Sequence, residues 1–457
     1  MSSTLLFVFL AGPATGHAGI QHADSSRPGM ARTAEKPAVE SGREVGRLLL
    51  KVYDPKPPPF SDLVRSLARL GPAATEELAA IYVGAVEPPH PPENAALAPQ
   101  DPLDTTERPA MQDVVLAALK ALPPGEVVAA IRTRAMGTVP IQVRANGFRA
   151  LGAVGTTRGL EALLDSAKEL SDFELALPGL HEPAADAVAS ILSGADHGWG
   201  ELEKRSTKLP PGLERIVVRG IARSGSPRGF AVLMRFLARP GADKAFLFES
   251  IDELSLKSAP WIEEHDRAEI RSALESTDPE TRCRVAFVLA RAQDAASVPA
   301  FIEFLDSEDG RLRNAGLWAL ETMSGFSLPG ESARWREWHA EQLKWRAESL
   351  PSLRLQVRSS EPTAAFEAIA ELCRRPLFRH ELGEDIAYPL AQGPTELALA
   401  ACAGLAELRS LFAVPALVEA LRRPEESVRE AAGAALRVIT GRDHPADFEA
   451  WFAEIRP

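Results

Sequence analysis

Residues 298–335 fall without a gap on residues 414–451 when shifted by 116 positions, and no other feature of this chain constrains its fold as much. Under that shift Val298-Pro299-Ala300 meets Val414-Pro415-Ala416, Leu305 meets Leu421, and Arg313 and Ala315 meet Arg429 and Ala431. Gly325, Pro329 and Trp335 likewise meet Gly441, Pro445 and Trp451. A second offset, of 70 positions, lays Arg149, Gly155 and Arg158-Gly159 on Arg219, Gly225 and Arg228-Gly229. Periodicity on this scale marks a repeat array, in which each unit buries its apolar face only against its neighbours. Arrays of this kind present surfaces for binding and seldom carry chemistry in the repeat itself.

Within a unit the pattern reads as helix, tight turn, helix. Phe301, Ile302 and Leu305 recur at helical spacing, and residues 306–310 (DSEDG) make the turn. The partner helix carries Leu312, Ala315, Gly316, Ala319 and Leu320 on one face, with small residues where two backbones approach closely. Pro299 and Pro415 fall in the first turn of the leading helix, where a missing N–H costs nothing. Aromatic residues make up only 6% of the chain, which suits close helix packing better than sheet. The expected fold class is all-α.

The organisation along the 457 residues follows from composition. Residues 1–39 read as a polar leader or signal peptide with linker, and residues 40–86 as an N-terminal helical region with helices over 45–52 and 63–86. Residues 87–109 form a linker too rich in proline to continue a helix. Repeats then run over 110–345 and, with a Trp-containing cap, over 346–457. Trp335, Trp338 and Trp345 share one helical face and are expected to act as a lid on a repeat end. At the N-terminus, residues 5–11 (LLFVFLA) are a short apolar core and Gly16-His17-Ala18 offers a cleavage site, yet no Lys or Arg precedes them. Two readings therefore stay open: export to the periplasm if residues 1–18 are a signal peptide, and a cytoplasmic protein starting at Met1 or Met30. No other stretch approaches the length of a membrane span.

A net charge of −12 argues against nucleic-acid binding, which needs surplus Lys and Arg to displace counterions. Cys283, Cys373 and Cys402 are too few and too scattered for a disulfide framework or zinc knuckle and read as small buried hydrophobes.

The units resemble HEAT repeats of the bacterial type named after the phycobilisome lyases, in which the second helix opens with an acid, then Val-Arg or a relative, then spaced Ala and Leu. Here Asp278 stands before Arg282, Asp309 before Leu312-Arg313, and Glu425 before Val428-Arg429, while Val143-Arg144 fits without the acid. Acid and arginine four apart on a helix read as a stabilising pair. The resemblance implies a right-handed α-α superhelix, a HEAT/armadillo-like solenoid, from about Pro140 onwards. It also implies a non-enzymatic scaffold for protein–protein interaction.

Two His-Glu dipeptides, His181-Glu182 and His380-Glu381, mark the alternative. The second is similar to the motif of deoxyhypusine hydroxylase, a HEAT-repeat enzyme whose stacked His-Glu pairs hold two irons. That resemblance implies an accessory lyase-like or di-iron hydroxylase-like protein acting on a bound protein or pigment. The family supplies four such pairs, whereas this chain has two, 199 residues apart, and Pro183 after Glu182 looks like a helix start. The expectation is accordingly no catalytic residue, no metal and no cofactor, with His181, Glu182, His380 and Glu381 as the only metal candidates. For partner binding, Arg215, Arg219 and Arg223 lie four apart opposite Val217 and Ile221, with no nearby acid on the same helix to neutralise them at i,i+4. They read as an unneutralised basic stripe for an acidic protein partner, or else as a solvated face.

Overall fold

The glycines that the two offsets superimpose share one structural role. Gly155, Gly225, Gly325 and Gly441 each end a helix in the left-handed conformation, at φ of 68°, 65°, 79° and 71°. A residue with a Cβ is strained there, which is why the repeat carries glycine. The computed structural model describes residues 35–54, 57–90, 110–194, 198–258, 262, 264–359 and 361–455. The expected leader, with its apolar core and candidate cleavage site, and residues 91–109 of the Pro-rich stretch lie outside the described residues.

The described residues form twenty-five α-helices and no strand, arranged as an all-α right-handed superhelical solenoid. Longer helices stack on one another in sequence: Ile141–Val154, Pro178–Ser193, Pro211–Ser224, Lys244–Lys257, Pro279–Arg291 and Gly310–Ser324. Shorter helices, such as Arg228–Leu237 and Val298–Phe304, cover one side of that layer. The two layers meet closely: a Cβ at Gly316 would lie 2.6 Å from the Phe301 carbonyl oxygen, so only glycine lets helix Gly310–Ser324 cross there. Helix Pro72–Val83 packs on Pro124–Ala135 and Ile141–Val154, and one apolar core continues from Val45 through these helices into the repeats.

The expected single helix over 63–86 is two, Phe60–Ala68 and Pro72–Val83. Gly71 takes φ 67° between them and Pro72 opens the second, so the chain turns where the hydrophobic pattern runs on. The acid–arginine pairs also need correction. Asp309 caps its helix by accepting from the Arg311 N–H, and Arg313 instead reaches back to the carbonyls of Ser307 (2.7 Å) and Glu308 (2.8 Å). Arg429 does the same to Arg423 (2.9 Å) and Pro424 (2.8 Å), the equivalent positions. Arg282 donates to the Leu274 carbonyl and Arg144 to that of Gly137. The repeated arginine staples the turn between helices, while Asp278 and Asp309 cap their helix N-termini and Glu425 pairs with Arg423 at 2.9 Å.

The tryptophans behave differently in the two copies. Trp451 is fully buried, donates to the Pro445 carbonyl and anchors helix Phe448–Ile455 on Val414–Ala420. Trp335 is equally buried and stacks on Phe326, but its helix, Ser332–Glu348, does not end the array. Leu350–Val357 and Pro362–Cys373 follow, and Trp345 stacks on Phe378 of the next block. The lid expected of this face is therefore a joint.

Beyond that joint the array folds back. His380 Nε2 meets the Ala292 carbonyl at 2.8 Å, the Arg267 guanidinium lies 5.4 Å from the Phe412 ring centroid, and Arg442 donates to the Gly225 carbonyl at 3.1 Å. As one strand of contacts climbs the chain from 225 to 292, the other descends from 442 to 380. Two half-arrays thus run antiparallel, joined along a polar seam.

Candidate functional site

The basic stripe is on helix Pro211–Ser224, and its charges are not free. Arg223 pairs with Glu182 (2.5 Å) and Asp186 (2.7 Å) of the preceding long helix. Arg219 pairs with Glu249 (3.2 Å) and Glu253 (3.4 Å) of the following one, and Arg215 with Asp243 (2.8 Å) at that helix's N-cap. The expectation of an unneutralised stripe is overturned: the acids come from neighbouring helices rather than from the same one. Arg215 keeps 57% of its side-chain surface exposed, whereas Arg219 and Arg223 keep 21% and 23%, so only Arg215 projects to solvent.

The pairing alternates along the layer. Acids on Pro178–Ser193 meet arginines on Pro211–Ser224, which meet acids on Lys244–Lys257. Asp252 of that helix in turn binds Arg291 of Pro279–Arg291. Burial pushes the Asp252 carboxyl up, and the Arg291 and Arg284 charges oppose that shift. Past Arg291 the ladder changes character. Its guanidinium lies 5.2 Å from the Trp318 ring centroid and 6.0 Å from that of Phe287, and Trp318 meets Phe287 edge-on at 5.1 Å. Trp318 remains 37% exposed. Sequence reasoning passed over this row, although Phe287, Arg291 and Trp318 all sit at outward positions of adjacent long helices.

The His-Glu pairs occupy separate half-arrays. His181 Nδ1 lies 3.4 Å from its neighbour Glu182, whose carboxylate is held below its usual range by Arg223. Burial, with Arg219 and Arg223 nearby, depresses the His181 imidazole. The helix starts at Pro178, so Pro183 stands inside it and does not begin it, contrary to expectation. At the other pair, Glu381 bonds Arg346 and Arg354, each at 2.8 Å. His380 is turned away towards the Ala292 carbonyl, with its ring 4.5 Å from that of Phe412. Burial lowers its pKa to about 4, so the imidazole is neutral; Nε2 must carry the proton, because a carbonyl only accepts, and Nδ1 is a buried lone pair without a partner. Among the described residues no three His, Cys, Asp or Glu side chains are gathered as a metal ion would require. Burial raises the thiols of Cys373 and Cys402 to about 11, which makes both unreactive at neutral pH.

His380 and Glu381 also line a cavity of about 350 Å³ at the seam, together with Arg267, Asp294, His339 and Arg346. A hydrogen-bonded cluster surrounds it: Glu264 with Arg267 (2.8 Å) and Arg271 (2.7 Å), and Asp294 with Arg271 (2.6 Å).

The match to a family model agrees with the architecture. Residues 268–332 match the family model for HEAT repeats. No curated protein matches the chain in sequence. Among solved structures, an engineered protein is 17% identical, with 87% of this chain and 98% of that one covered and a TM-score of 0.28. The karyopherin Kap121p, solved bound to the extreme C-terminus of the protein phosphatase Cdc14p, is 11% identical over 90% of this chain at a TM-score of 0.33. This chain covers 48% of that karyopherin, about half its length. Human deoxyhypusine hydroxylase in complex with glycerol is 16% identical, with 69% and 96% of the two chains covered and a TM-score of 0.25. Such scores support no argument about what this chain binds. No helix among the described residues is long and apolar enough to cross a membrane. The chain carries HEAT repeats, set in an all-α right-handed superhelical solenoid.

Proposed function

We propose that this protein is a non-enzymatic scaffold that docks a protein partner on its long-helix layer. The observation that carries the reading is the row Phe287, Arg291 and Trp318: an exposed tryptophan braced edge-on by a phenylalanine and capped by a guanidinium. Trp and Arg dominate the energetics of protein interfaces, and a ring held in place beforehand loses little conformational freedom on binding. Arg291 is itself fixed by Asp252 and by the Ser255 hydroxyl at 2.8 Å. An acidic partner is the finer reading. With Arg219 and Arg223 consumed by the ladder, it rests on Arg215, which pairs with Asp243 yet keeps 57% of its side-chain surface exposed.

The test is capture of partners from the native host by the purified full-length chain, read by mass spectrometry. Trp318→Ala should lose the wild-type partners while leaving the chain folded, the lost edge-on contact with Phe287 itself being worth about 1 kcal/mol beyond the area buried. Arg215→Glu should weaken capture further at low salt than at high salt if the partner is acidic. Unchanged capture by Trp318→Ala would overturn the proposed surface.

A further inference from the structure

The two half-arrays meet at the seam through the same turn. Under the shift of 116 positions Gln293-Asp294 falls on Arg409-Ser410, each pair lying between a long helix and the short leading helix that starts at Val298 or Val414. The contact between the halves is reciprocal. His380, on helix Arg379–Gln392 of the second half, donates to the Ala292 carbonyl beside the first turn. Arg267, on helix Glu264–Ser272 of the first half, lies against the Phe412 ring beside the second.

Three observations mark this meeting as strained. Gln293 and Arg409 take φ of 55° and 51°, and among the described residues no other residue with a Cβ has a positive φ. Four other long helices end in glycine in that conformation, whereas these two equivalent turns force a side chain into it. Buried polar atoms are orphaned here as well. Arg267 Nε, Gln293 Oε1, His380 Nδ1 and Ser410 Oγ have no hydrogen-bond partner, and they are four of the eight such atoms among the described residues. A buried polar atom without a partner is costly, and water would satisfy each of these if the halves parted. Finally, the seam is loosely packed, since it encloses the cavity of about 350 Å³.

We infer that the seam is a conformational switch: the half-arrays part along it and pivot at the joint, helices Ser332–Glu348 and Leu350–Val357, so that the protein exchanges between the folded-back form and an open form that keeps its helices. The hydrogen bonds from His380 to Ala292 and from Arg442 to Gly225, with the Arg267–Phe412 contact, favour the closed form. The two strained turns and the orphaned polar atoms favour the open one. Each repeat packs on its neighbours in sequence, so parting the halves leaves the core of each intact. A partner with different affinities for the two forms shifts the balance between them. Ala292 follows Arg291 of the docking row, yet the inference does not rest on that row and is tested without a partner.

The experiment follows the full-length protein through a urea titration at neutral pH, with small-angle X-ray scattering reading its dimensions and far-ultraviolet circular dichroism its helix. In wild type the radius of gyration is expected to rise in a first step, at lower urea than the loss of helix. His380→Ala combined with Arg442→Ala removes both hydrogen bonds across the seam, and that chain should be expanded without urea at an undiminished helix signal. Gln293→Gly combined with Arg409→Gly relieves the turns and leaves the crossing contacts in place. It should move the first step to higher urea, raising the ratio of closed to open forms by about tenfold for each turn relieved. Expansion that coincides with helix loss in wild type, or a folded His380→Ala/Arg442→Ala chain as compact as wild type, would overturn the inference. Should that variant fail to fold, the glycine pair decides, and an unmoved first step overturns the inference equally.

Discussion

Two copies of one repeat, 298–335 and 414–451, differ less in sequence than in surroundings. Both use a glycine to leave the long helix, both staple the turn with an arginine, and both bury a tryptophan completely. Yet Trp451 closes the described array and satisfies its indole N–H on Pro445, while Trp335 sits at the joint between half-arrays and leaves its N–H without a partner. The contrast teaches that a repeat specifies its own internal packing, and that position in the array decides what the same residue holds together.

The largest test of that contrast is Trp335→Ala against Trp451→Ala. Removing a buried tryptophan costs about 3–5 kcal/mol where neighbours cannot collapse into the space. At Trp335 that full loss is expected, with a lowered midpoint for the whole array in denaturant. At Trp451 the last helix should fray, giving a smaller loss confined to the C-terminal repeat and visible in hydrogen exchange. Equal global losses would break the distinction.

Next in size is pH. His380 ties the second half-array to Ala292, just before the first copy, and packs among Arg267, Arg379 and Phe412. Its pKa falls from the ordinary 6.5 to about 4 in the folded chain, so the unfolded chain binds the extra proton as pH drops. The contribution is complete above pH 6.5 and is lost as pH falls from there to about 4. The loss at pH 4 is on the order of 2–3 kcal/mol. His380→Phe should flatten the stability profile across that window, and an unchanged slope would remove His380 as its source.

The arginine staples sharpen the comparison further. Arg313 is exposed, whereas Arg429 bonds the Arg423 carbonyl in a half-buried setting. Arg429→Ala should therefore cost more than Arg313→Ala, both within about 0.5–1.5 kcal/mol by urea unfolding. Most alike, and differing least between the copies, should be Gly325→Ala and Gly441→Ala, at about 1 kcal/mol each, since φ of 79° and 71° imposes the same strain in both. A large difference between the glycine variants would show that the caps are not equivalent.

How far the sequence reaches follows the range of the interaction involved. Helix phase, the glycine ends, Pro299 and Pro415 at their first turns and the small residues at Gly316 were legible, because each rests on contacts within one or two turns or one neighbouring helix. The break at Gly71 was hidden, since the apolar pattern of residues 63–83 continues through it. Arg215, Arg219 and Arg223 were correctly seen to share a face, but their acids stand 28 to 41 positions away and no local pattern reveals them. The same holds for Arg291 and Trp318, whose rings and charge meet only once adjacent helices are in register.

By itself, then, the sequence determined an all-α array of helix pairs and the device that ends each long helix, because periodic burial and backbone strain act locally. Tertiary structure decided where the charges went, which tryptophan became a joint, and that Arg442 would meet Gly225 and His380 would meet Ala292. Those contacts fall on backbone carbonyls far along the chain. Every residue has a carbonyl, so the sequence carries no mark of which one will be chosen until small rotations between successive repeats have summed to bring the halves together.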